Sequence, residues 1–181
     1  TLTGTKDLPE AQMKKLWLWT WYTSMMDSNG FTQIVTRYLN KRHEMPFEKF
    51  YERLLEYGLA TEDCAAHKWL KKWQAYGEKL EFNMFLAGIT YAPVIKDLAI
   101  NNRTQTFQDI LTVAREFAPD DPLLQDVMIM QERQQTIFAH DPVTEISLNA
   151  NVFEYSLGEE QLHIQPTHYN IHRAYPPKGT D

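Results

Sequence analysis

The residues best equipped for chemistry lie near the end of the chain. His163, His168 and His172 fall within ten positions, and imidazole nitrogen is the commonest protein ligand for transition metals. Glu160 and His163 add one E-x-x-H. Di-iron bundles use two such pairs on helices with further glutamates; this single pair sits in a segment that reads as a turn and a strand. Side chains alternate along a strand, so His168 and His172 would share a face there. His163 would face away unless Pro166 shifts the register. The three histidines are therefore weak metal-ligand candidates, and the plainer reading is surface histidines on an appendage. A second pair, Cys64 and His67, is spaced to touch on a helix. A Cys–His nucleophile also needs an orienting group and an oxyanion site, and two residues supply neither. No Gly-rich phosphate loop, G-x-S-x-G or H-E-x-x-H occurs. The residues alone assign no catalytic or cofactor-binding position.

Helices must position whatever this chain does. Asp7, Pro9 and Glu10 form a helix start, and a run from Leu8 to about Ser28 carries Met13, Leu16, Trp17, Trp21 and Met25 at helical spacing. Trp19, Tyr22 and Met26 fall on other faces, so this helix is apolar nearly all round. Asn29-Gly30 stops it. The spacing predicts further helices over 31–40, from Pro46 to Gly58, and from Glu62, capped by Thr61, towards Leu80 with Gly77 as a weak point. Pro93 divides an ambiguous apolar stretch from Phe82 to Ile100 into two helices. Thr104 or Thr106 caps the next helix. After the break at 118–122 a last one runs from Leu123 to about Phe138.

Beyond Asp141-Pro142 the pattern changes to short alternations, with Leu162, Ile164, Tyr169 and Ile171 as strand faces and 158–160 as a turn. The last six residues read as a frayed tail. The expected architecture is mainly α: a multi-helix, bundle-like domain over 1–140 and a small β hairpin or β appendage over 141–181 packed on it.

Composition bounds the function. The 181 residues are 43% hydrophobic and 13% aromatic, enough for an ordinary packed core. The net charge of −6 argues against nucleic acid as the main partner. One cysteine excludes a disulfide framework, a cysteine-based zinc site and a self-contained iron–sulfur site. The most apolar windows, 16–26 and 83–95, are too short to span a bilayer. No secretory signal precedes the first helix, so a cytoplasmic chain with Cys64 as a free thiol is the simplest expectation. Thr1 in place of Met reads as a chain processed or cut from something longer. Lys14-Lys15, Lys41-Arg42-His43 and Lys68 with Lys71-Lys72 read as solvated faces.

Trp17, Trp19, Trp21 and Tyr22 within six positions form the densest aromatic segment. Two readings compete: a plain core helix, which is the simpler one, and a docking face, since Trp and Tyr anchor interfaces. On the docking reading Leu16, Trp17 and Trp21 belong to the core and Trp19 or Tyr22 is the outward anchor.

The order of residues also resembles a known family. Thr3-Gly4-Thr5-Lys6-Asp7-Leu8, followed by Met13, Leu16 and the Trp17–Trp21 run, resembles the segment after the catalytic barrel in cobalamin-binding radical SAM proteins. Asn29-Gly30-Phe31, Arg37-Tyr38-Leu39 and Pro46-Phe47-Glu48-Lys49-Phe50-Tyr51 continue it. Asn151-Val152-Phe153-Glu154-Tyr155, Leu162 and Pro166-Thr167-His168-Tyr169 look like that family's C-terminal tail. The likeness spans most of the chain but contains no catalytic signature. The cluster-binding C-x-x-x-C-x-x-C and the cobalamin-binding Asp-x-His-x-x-Gly have no counterpart here. The resemblance therefore implies a C-terminal accessory domain whose partners are absent upstream catalytic and cobalamin domains. The iron–sulfur cluster, S-adenosylmethionine and cobalamin would belong to those domains, and this chain would hold none of them and no tight zinc. The domain would pack on the barrel and help shape its substrate pocket. A free-standing helical interaction module is the alternative. With the upstream partner missing, a homodimer through the first helix is also expected. An independent enzyme built on the histidines is a third.

Overall fold

The computed structural model describes residues 9–78, 91–135 and 144–171. The expected Asp7 cap, the 3–8 motif, the apolar stretch 79–90, His172 and the tail lie outside them.

Helix α1 (Glu10–Ser28) starts at Pro9, whose carbonyl accepts from the Gln12 and Met13 N–H groups at 2.9 and 3.0 Å. It ends as Asn29-Gly30 requires. Gly30 takes a φ of +72°, and the Phe31 N–H reaches back to the Met26 carbonyl at 3.0 Å. The Asn29 side chain donates to the Met25 carbonyl at 2.8 Å. Helix α2 (Gln33–His43) follows, then α3 (Phe47–Ala60) and α4 (His67–Glu78). Next come α5 (Tyr91–Lys96), a π-helical turn over Asp97–Asn101, α6 (Arg103–Phe117) and α7 (Leu124–Gln134). Strand β1 (Thr144–Leu148), helix α8 (Val152–Leu157) and β2 (Thr167–Ile171) complete the described chain. The class is mainly α with one two-stranded antiparallel sheet.

Several boundaries differ from expectation for physical reasons. Gly58 does not end α3. A Cβ there would lie 2.5 Å from Leu70 Cδ1, so the glycine lets α4 approach. Gly77 has the same use, its missing side chain giving room to the Trp17 ring. Helix α4 begins five residues later than Glu62, because the Asp109 carboxylate holds the preceding turn through the Ala65 N–H at 2.9 Å. Among the described residues α5 runs through Pro93, and the stretch on the other side, 79–90, where the second helix is expected, lies outside them. Neither threonine caps α6. The N-cap is Asn102, and the Thr106 hydroxyl instead donates to the Leu98 and Asn102 carbonyls at 2.9 Å.

The C-terminal part also departs in detail. Leu162 and Ile164 lie in irregular chain, and Ile164 is exposed. The strands are β1 and β2, paired Thr144 to Ile171, Ile146 to Tyr169 and Leu148 to Thr167. Their connection holds α8, so they do not form a tight hairpin. Ile146 and Leu148 point inward while Glu145 and Ser147 are exposed, the alternation of a half-buried strand. These residues, with Ala150, Val152 and Tyr155, join the same core as Met25, Phe31, Tyr38, Leu54, Trp73 and Val127. Helix α2 lies centrally, packing on α3, α6, α7 and α8.

Its N-terminus shows how the body is joined. Thr32, at the N-cap position, turns its hydroxyl to the Tyr51 hydroxyl at 3.0 Å and makes no cap bond. Gln131 of α7 takes that place. Its Oε1 accepts from the Ile34 and Val35 N–H groups at 2.6 and 3.1 Å, and its Nε2 donates to the Gly30 carbonyl at 2.7 Å.

Candidate functional site

Of the three weak metal-ligand candidates, His163 and His168 lie among the described residues. His163 is exposed, and its backbone, not its ring, is engaged: its N–H donates to Asn151 Oδ1 at 2.7 Å. The His168 ring, also exposed, pairs through Nδ1 with the Ser147 hydroxyl at 2.8 Å across the sheet. His172 lies outside the described residues. Among those described, no three His, Cys, Asp or Glu side chains are disposed to hold a metal ion.

Cys64 and His67 do not form a reactive pair. The His67 ring turns to the Gly58 carbonyl, with Nδ1 at 2.9 Å, while its own N–H bonds the Cys64 carbonyl. The thiol is 7% exposed. Burial, and then the nearby Asp109 carboxylate, push its pKa up to about 12. A nucleophilic cysteine needs the opposite shift.

Among the described residues, buried carboxylates organise the polar groups, and Asp126 of α7 accepts from the Asn149 N–H at 2.6 Å and from its side-chain amide at 3.2 Å. Asp121 Oδ2 accepts from the Tyr38 hydroxyl and Arg42 Nε at 2.9 Å and lies 2.7 Å from His43 Nε2; Oδ1 accepts the Leu123 N–H at 3.0 Å. Burial opposes the charge, but the bonds from His43, Leu123 and Tyr38 and the Arg42 guanidinium outweigh it and hold the carboxyl below its usual range. Arg42 and His43 are thus not a plain solvated face. They tie the end of α2 to the 118–123 loop. Asp97, in the π turn, is tied to Lys68 and to the Trp69 indole at 2.8 Å each. Asp109 accepts from Ala65 N–H and from Gln105 Nε2 at 2.8 Å. Each carboxylate is saturated by the chain's own donors, and each reads as a tie between elements.

The aromatic segment is sorted differently than its spacing predicts. At about 100° per residue, Leu18, Trp21, Tyr22, Met25 and Met26 share one direction, and all are buried. Tyr22 is 1% exposed and is no outward anchor; its hydroxyl lies near the notch at Gly58. Leu16, expected in the core, points roughly opposite and is 49% exposed. Trp17 and Trp19 flank the buried stripe on either side and are half-buried. Trp17 packs on Gly77, and Trp21 meets Trp73 edge to face one turn further along the antiparallel seam.

Beneath the first half of α1 the packing opens. A groove of about 690 Å³ runs between α1, α3 and α4. Trp17, Leu18, Trp19, Leu55 and Leu59 give it apolar walls, and Glu10, Lys14, Lys15, Glu52, Glu56 and Glu78 give it a charged rim. Lys14 bridges Glu10 and Glu78 at 2.8 and 3.2 Å. The indole N–H groups of Trp19, Trp21 and Trp73 are shielded from solvent and find no acceptor among the described residues. Comparison with protein-family models, curated proteins and solved structures finds no match. Among the described residues, no helix is long and apolar enough to cross a membrane.

Proposed function

We propose that this chain is the C-terminal accessory domain of a radical SAM enzyme of the cobalamin-dependent kind. It packs on the upstream catalytic barrel and helps shape the substrate pocket there. The iron–sulfur cluster, S-adenosylmethionine and cobalamin belong to the upstream domains. The observation that carries the docking role is the first half of α1. Its apolar residues exceed what one small body covers: Leu16 is half exposed on the outer side, and Trp17 and Trp19 border an open groove on the inner side. The family assignment within that role rests on the sequence resemblance.

The continuous core from α1 to α8 favours a free-standing interaction module as the second reading. The encoding reading frame separates the two. Continuation upstream of Thr1 through a C-x-x-x-C-x-x-C motif is the expected result. A frame that opens near Thr1 without that motif would refute the accessory reading and leave the module.

A further inference from the structure

The groove points to the kind of surface that docks. We propose that it seats one face of a basic amphipathic helix of the partner, an inference that rests on the docking role above. The groove follows α1 from Glu10 to Trp19, about 14 Å or roughly two and a half turns. That length matches anchors spaced i, i+3 or i+4, and i+7 on a helix laid alongside. The partner's apolar stripe enters between the walls that Trp17, Trp19, Leu55 and Leu59 form.

Charge sets the flanks of that stripe. Four carboxylates and two lysines line the rim, and Lys14 is already committed to two of the carboxylates. Lys49 offsets Glu52 at 3.0 Å. Glu56 keeps the least compensation: Arg53 lies 3.9 Å away, and both Nε and Nη2 of that guanidinium donate to Glu116. Lysines or arginines beside the apolar stripe complete this rim, whereas acidic flanks meet like charge.

The test uses the 181-residue chain and two synthetic 18-residue helices, one of Leu and Lys and one of Leu and Glu, each fluorescein-labelled and titrated by anisotropy at 150 mM salt. The Leu/Lys peptide should bind at least about tenfold tighter than the Leu/Glu peptide, a difference of about 1.4 kcal/mol. The double variant Glu52→Gln, Glu56→Gln should weaken it about fivefold while keeping the far-UV circular dichroism of the parent. Backbone NMR shifts on the unaltered chain should cluster over 11–19 and 52–59. Equal affinity for the two peptides, no effect of the double variant, or shifts centred elsewhere would overturn the proposal. So would uptake of tetramethylammonium in the groove with no peptide binding, which would make it a small-cation site. Failure of the peptide with the upstream barrel still bound would sink the helix proposal alone and leave the accessory reading standing.

Discussion

Replacing Gln131 by Leu removes the cap on α2 while nearly keeping the volume. Gln131 is wholly buried, and its amide serves the Ile34 and Val35 N–H groups and the Gly30 carbonyl. Leucine leaves two helix-terminal donors and one acceptor unpaired beside a buried threonine whose hydroxyl is already used. Each orphaned group costs about 1–3 kcal/mol, and the lost cap falls within the same sum. Added apolar burial returns roughly 1–2 kcal/mol. The net loss should be about 1–8 kcal/mol, at roughly 2–4 °C of Tm per kcal/mol for a chain of this size. Urea unfolding followed by far-UV circular dichroism measures it, with an unchanged m-value confirming the same folded and unfolded states. Gln131→Glu keeps an acceptor for the Ile34 and Val35 N–H groups but sets a buried carboxylate oxygen against the Gly30 carbonyl, so it should be less stable than the parent near pH 7 and recover part of the loss once protonated. A leucine variant within about 0.5 kcal/mol of the parent would refute the reasoning, because the α2 donors would then be satisfied without Gln131.

Stability should also fall in acid through Asp121. Its folded carboxyl titrates below the unfolded value of about 3.9. Its contribution is therefore complete above that value and is lost as pH drops through the lower folded one; Asp121→Asn should be less stable at pH 7 and should flatten this part of an acid-unfolding curve, and an unchanged curve would count against the cluster. Gly58→Ala should destabilise by about 1–3 kcal/mol despite the helix preference for alanine, because its Cβ would press into Leu70; a more stable variant in thermal melts would refute the close-approach argument. Cys64, with its thiol pushed up to about 12, should resist thiol reagents at pH 8 until the chain is unfolded, and stoichiometric labelling of the native chain within minutes would contradict its burial.

The sequence signals that succeeded were local ones. Asn29-Gly30 ends α1 because one glycine at positive φ and one backward-reaching side chain are enough to stop a helix. Tyr169 lies in a strand, as its alternation suggests. The signals that failed depend on contacts across the chain. Gly58 and Gly77 look like breakers until their neighbours on α4 and α1 are known. Arg42 and His43 look solvated until Asp121, nearly eighty positions later, lies beside them. The Gln131 cap joins residues 97 and 96 apart and leaves no trace in either segment. Val152–Leu157 lies within the segment expected to be a β appendage, yet forms α8. Lys41 donates to the Tyr155 and Glu159 carbonyls at its C-terminal end, and that partner comes from more than a hundred positions away.

The first helix shows why the candidate site was the least legible part. A helix with apolar residues on every face has no stripe that periodicity can rank. Trp17 and Trp21 are i, i+4 neighbours, and Leu16 is i, i+3 from Met13, yet such spacing only says which residues adjoin, not which side faces the core. The choice was made by the surfaces that α1 meets. Gly77 accepts the Trp17 ring, Trp73 meets Trp21, and the Gly58 notch faces the Tyr22 hydroxyl, so the buried stripe settles on Leu18, Trp21, Tyr22, Met25 and Met26. That choice turns Leu16 outward. Nearer the start of α1, the side facing α3 and α4 offers Ala11, Lys14 and Lys15, which are too short or too charged to fill the space below. The groove is thus a consequence of side-chain size on the inner face. An aromatic count along the sequence registers the tryptophans at its border and misses the small and charged residues that open it.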